Sequence, residues 1–130
     1  MKKTVELLSP AGTFNNLKYA LAYGADAVYA GLPRYSLRVR NNDFRNTERV
    51  KQGIDYAHRL NKKFFLALNT MPHGSKVKTF MKDITPIIEQ KPDALIMSDP
   101  GLIMMVREAF PDMNIHLSVQ SNAVNSATVK

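Results

Sequence analysis

Val5-Glu6-Leu7-Leu8-Ser9-Pro10-Ala11-Gly12 and its echo, Ala25-Asp26-Ala27-Val28-Tyr29-Ala30-Gly31, decide how the chain is read. Each is a short apolar run that ends in small or turn-forming residues. Between them Phe14, Leu17, Ala20 and Leu21 recur at helical spacing. Thr13 stands where an N-cap hydroxyl belongs, and Gly24 stands where a left-handed residue ends a helix. The spacing therefore predicts strand, helix, strand. A strand returned by a crossover helix to a parallel neighbour is the β-α-β unit.

Working outward, the same unit recurs. A helix is expected from Thr47 to Leu60, with Val50, Ile54 and Ala57 on one face and Asn61 as its stop. Lys63 to Asn69 is an unbroken apolar run, suited to a strand covered on both faces. Val77, Phe80, Met81, Ile84, Ile87 and Ile88 mark a further amphipathic helix. Pro86 inside it predicts a kink or break near Thr85, because proline removes one backbone hydrogen bond and clashes with the preceding turn. Ala94 to Ser98 is the next strand. Asp99-Pro100 supplies an N-cap and a first-turn proline for a helix reaching about Phe110. Asn114 to Gln120 alternates, with His116, Ser118 and Gln120 on one face and Ile115, Leu117 and Val119 on the other. Ser121 to Lys130 begins another helix.

Five strands alternating with four complete helices predict a parallel sheet with helical cover. An open doubly wound sheet and a segment of a barrel both fit this order. The first turn, Ser-Pro-Ala-Gly, lacks dinucleotide or P-loop glycine spacing, and the last strand has a polar face suited to a barrel mouth. The fold class expected is α/β, the N-terminal half of a TIM (β/α)8-type barrel, as one domain over residues 1–130.

Composition narrows the chemistry. The chain has no cysteine, so its own side chains form no disulfide, thiolate zinc site or cysteine-ligated cluster. Glu6 and Pro10 interrupt any signal-type apolar region, and no run approaches membrane-spanning length, so a cytoplasmic, membrane-free protein is expected. The formal net charge is +7, and residues 32–63 hold nine basic side chains against three acids. Such a field favours phosphate-rich partners, although a solvated basic surface explains the same count.

Four separated segments carry a resemblance. Residues 6–12, 24–31, Asn69-Thr70-Met71-Pro72-His73 and 116–122 resemble the N-terminal half of the peptidase U32 family. Residues 33–42 and 94–103 are similar to its branch associated with tRNA hydroxylation. The resemblance implies a (β/α)8-like catalytic domain in a longer protein. It further implies 5-hydroxyuridine formation at the tRNA wobble position, with prephenate as the hydroxyl source. Other branches imply a peptidase, or an iron–sulfur protein whose cluster rests on cysteines downstream of Lys130. Whether these residues form an enzyme alone or a non-catalytic RNA-binding fragment is left open.

In a barrel, catalytic groups sit at the C-terminal ends of strands. Asn69, His73 and Gln120 qualify there, and Glu6 is a carboxylate inside the first strand, either a buried acid or base or an ion pair with a neighbouring strand. A hydrolase reading uses Ser98 or Ser118 with His73 and Asp99, but no Gly-x-Ser-x-Gly elbow is present. His116 is expected as a hydrogen-bonded interior residue; no metal site is expected. The larger expectation is anion binding by Arg34, Arg38 and Arg40. Here Tyr35 would stack on a base, Ser118 and Asn122 would contribute at the mouth, and tRNA phosphates or a dicarboxylate such as prephenate would be the ligand. The competing reading ties this loop to Asp43 and Glu48. Open edges on the first and fifth strands predict a homo-oligomer.

Overall fold

The helices begin and end on the residues that the sequence marks. In the computed structural model, which describes residues 4–37 and 42–129, α1 (Phe14–Ala22) is capped by Thr13, whose Oγ1 accepts from the Asn16 N–H at 3.0 Å. Gly24 follows with φ of +105°, the left-handed conformation that glycine adopts without a Cβ penalty. Asn46 caps α2 (Thr47–Arg59) through the Arg49 N–H at 2.9 Å, and Asn61, at φ 58°, lies just past its end. Asp99 caps α4 (Pro100–Ala109), its Oδ1 accepting from Gly101 N at 2.8 Å and Leu102 N at 3.2 Å. Such caps each contribute about 0.5–2 kcal/mol.

The strands are β1 (Leu8–Pro10), β2 (Ala27–Gly31), β3 (Lys63–Leu68), β4 (Ala94–Met97) and β5 (Ile115–Leu117). They form one parallel sheet in the order β1-β2-β3-β4-β5, with β3 central. Helix α3 (Gly74–Ile88) completes the alternation, and α1, α2, α3 and α4 pack in succession against one another. A doubly wound sheet reverses its strand order at a switch point and carries helices on both faces. Sequential order with neighbouring helices is instead the pattern of a barrel segment.

The helix-covered face holds the main core: Val28 and Ala30, Phe64, Leu66 and Leu68, and Leu95 and Met97, packed on Leu17, Ile54, Phe80 and Val106. Gly53 of α2 lies where a Cβ would come within 2.9 Å of the Phe44 ring and 3.0 Å of the Phe64 ring, so helix and sheet approach more closely than alanine permits. The opposite face carries a smaller cluster of Ala27, Phe65 and Ala94 with Tyr29 and Ile96, against which the half-exposed β1 residue Leu8 lies unburied.

Several expectations change. Glu6 precedes β1 rather than lying within it. Helix α3 runs unbroken through Pro86 to Ile88. The proline gives up its own N–H bond to the carbonyl four residues back, but only Ile87 and Ile88 follow it in the helix, and the Thr85 hydroxyl donates to the Met81 carbonyl at 2.6 Å in the same turn. The alternation expected to reach Gln120 stops at Leu117. There Ser118 caps a 3-10 turn (Val119–Ser121), leaving Val119 at 90% exposure rather than on a packed face. His116 is not an interior hydrogen-bonded residue; it is exposed, its ring edge-on to Phe65 at 5.0 Å between centroids. The segment after residue 121 reaches only one short helix, α5 (Ser126–Val129).

Candidate functional site at the C-terminal ends of the strands

Parallel strands deliver their last residues to one end of the sheet, and there the polar groups form a continuous belt. Asn69, immediately after β3, accepts from the Leu37 N–H through Oδ1 at 3.2 Å. Its carbonyl accepts from the Ser98 hydroxyl at 2.9 Å, and the Ser98 carbonyl accepts from the Ser121 hydroxyl at 3.2 Å. On the other side, the Asn42 amide donates to the Gly31 carbonyl at the end of β2, and its Oδ1 accepts from Phe44 N at 2.8 Å. The Asp43 carboxylate takes the Phe14 N–H at 3.0 and 3.2 Å, reaching the first helix. Backbone and neutral side chains thus tie the β2–α2 connection to the ends of β3, β4 and β5.

The connection itself is held from outside. Arg34 Nη1 pairs with Asp83 of α3 at 3.1 Å, and its Nη2 donates to Thr79 Oγ1 at 3.0 Å. Tyr35 is 1% exposed; its hydroxyl donates to the same Asp83 oxygen at 2.6 Å, and its ring lies edge-on to Phe80 at 5.2 Å. Burial, followed by that hydrogen bond, raises the Tyr35 phenol above its usual range. The expected base-stacking role of Tyr35 is therefore excluded by its burial. In place of the Asp43 and Glu48 of the competing loop reading, Arg34 pairs with Asp83. Asp83 and Thr79 were missed in the sequence, although Asp83 is the one acid on a helix otherwise rich in lysine.

Arg38 and Arg40 lie outside the described residues. Leu37 and Asn42, which flank residues 38–41 in sequence, are both fixed to the belt. His73 occupies the N-cap position of α3 with no side-chain capping bond and is exposed. Gln120 is exposed in the 3-10 turn, its N–H on the Ser118 hydroxyl at 3.3 Å; Ser118 is buried, and Asn122 is exposed in the left-handed conformation at φ 53°. The structure thus brings Asn69, Ser98, Ser118 and Ser121 together and holds Arg34 and Tyr35 against α3. Ser98 donates its proton to a carbonyl, which does not prepare it as a nucleophile.

Glu6 sits at the opposite end. Its Oε2 pairs with Lys63 Nζ at 2.9 Å, where β3 begins, and this bond raises the Lys63 ammonium above its ordinary value. The ion pair replaces the buried acid or base. Among the described residues no group of His, Asp or Glu forms a metal-ligand cluster. With no thiolate in the chain, none of its side chains can ligate an iron–sulfur cluster through sulfur.

This architecture has counterparts. The chain is 70% identical over 96% of its length to tRNA hydroxylation protein P of Haemophilus influenzae, and 68% identical over 96% to tRNA hydroxylation protein P of Escherichia coli. It spans 27% of the length of each. The solved structure of the U32 peptidase Mk0906 superposes with a TM-score of 0.68 at 13% identity, over 93% of this chain and 51% of that one; at that identity the likeness concerns the fold. The model of peptidase family U32 matches residues 12–130. The alternating half-barrel and the match across nearly its whole length lead to one statement of kinship: the chain belongs to peptidase family U32.

Proposed function

We propose that these residues form the N-terminal part of a tRNA-modifying protein that acts in wobble-uridine hydroxylation, yielding 5-hydroxyuridine. The observation that carries the reading is 70% identity across 96% of the chain to a protein named for tRNA hydroxylation. In this reading the segment bearing Arg38 and Arg40 contacts tRNA phosphate or a small dicarboxylate such as prephenate, between two anchors fixed at the strand ends. Asn69, His73, Ser118, Gln120 and Asn122 supply polar contacts at the same end. No helix among the described residues is long and apolar enough to cross a membrane.

Mass spectrometry of tRNA from cells deleted for the gene tests the reading: 5-hydroxyuridine should be lost and should return with the intact gene. An unchanged content would overturn it. The exposed edge-strand residues Leu8 at 40% and Leu117 at 51% favour association of two copies through β1 and β5. A monodisperse monomer of the 130-residue chain by light scattering at high concentration would refute that association.

A further inference from the structure

Outside the belt, the β2–α2 connection and α3 enclose a groove of about 530 Å³, lined in part by Arg34, Arg45, Thr47, Lys82 and Asp83. Its charges are unevenly used. Asp83 is its one lining carboxylate, and a single oxygen of it accepts from both Arg34 and Tyr35. Arg45 directs Nε to the Asn42 carbonyl at 3.1 Å, and among the described residues no carboxylate pairs with Arg45, Lys78 or Lys82. Lys78 and Lys82 stand four residues apart on α3, so two unneutralised ammonium groups share one helix face, an arrangement that costs free energy in the absence of an anion.

We infer that this groove seats a phosphodiester of the RNA backbone, with Arg45 and Lys82 as the contacting cations, Lys78 at its approach and the Arg34–Asp83–Tyr35 cluster as its fixed wall. The inference rests on the RNA reading above and extends it from the strand ends to the outer helical layer. Two cations that converge on one concave site from separate elements suit a phosphate whose two free oxygens point apart. The Arg34–Asp83 pair sets the wall without adding net charge.

Filter binding of tRNA across a salt series tests this with the full chain. The double variant Arg45→Gln/Lys82→Gln should weaken binding at least tenfold, and its slope of log affinity against log salt should fall by roughly one, for the one phosphate no longer neutralised. The charge-matched control Lys18→Gln/Lys91→Gln should keep the slope, and circular dichroism should show both variants folded as the parent. Equal losses in both variants, or an unaltered slope in the first while the parent still binds tRNA, would overturn the groove and leave the RNA reading standing. A parent chain with no salt-dependent tRNA binding would remove both.

Discussion

The two ends of the sheet are built from different chemistry. Where the strands begin, carboxylates close the structure: Glu6 pairs with Lys63 at 2.9 Å and Asp26 with Lys62 at 3.5 Å, and Asp93 lies 2.8 Å from His58 Nε2. Two of those carboxylates also hold backbone, Asp26 the Leu7 N–H and Asp93 the Phe64 N–H, each at 2.8 Å. Where the strands finish, asparagine and serine do most of the tying; of the cations nearby, Arg34 leans on α3, Arg49 lies 4.0 Å from Asp43, and Arg45 meets no carboxylate among the described residues. Charge at the first end is spent within the fold; at the second only part of it is. Formal charge on a sequence cannot distinguish these uses, because the distinction lies in which acids each cation meets.

Mutations can break this contrast. The largest loss of stability is expected for Asp93→Ala, which leaves the N–H of the buried Phe64 unpaired and frees His58, at a cost of about 1–3 kcal/mol in urea unfolding. Its tRNA affinity should match the parent's. Next comes Gly53→Ala, where crowding of the Phe44 and Phe64 rings costs about 1–3 kcal/mol and improved helix propensity returns up to about 1 kcal/mol. Asn69→Ala loses one acceptor at the partly exposed end and should cost only about 0.5–1.5 kcal/mol, yet weaken tRNA binding more than Asp93→Ala does.

The smallest effects are on pH dependence. The Leu7 N–H holds the Asp26 carboxyl below its ordinary value, against its own desolvation. A lowered carboxyl contributes stability that is present above about pH 4, its unfolded value, and lost as pH falls through the folded value. Asp26→Asn should therefore flatten the acid limb of stability. Tyr35 is displaced upward, so its contribution is present below about pH 10 and lost as pH rises through the folded value. Tyr35→Phe should flatten the alkaline limb and leave the acid limb alone.

Much of this was legible in the residues, for a physical reason. Caps are local: Thr13, Gly24, Asn61 and Asp99 act within a few positions of themselves, and alternating βα units leave few topologies. The β5 alternation misled because a serine hydroxyl competes with the strand ladder by bonding its own nearby backbone, as Ser118 does with Gln120 N. Arg34 and Tyr35 misled for the opposite reason. Their shared partner, Asp83, is 48 residues from Tyr35, and only the crossover geometry of the barrel brings α3 beside the loop.

The most direct test compares equal charge removal at the two ends. Salt-dependent tRNA binding is measured for Arg38→Ala/Arg40→Ala, on the connection beyond β2, and for Lys62→Ala/Lys63→Ala, where β3 begins. The first pair should lower the salt slope by roughly two, and the second should leave it unchanged while reducing stability. Equal slopes for the two variants would contradict the division of labour between the ends.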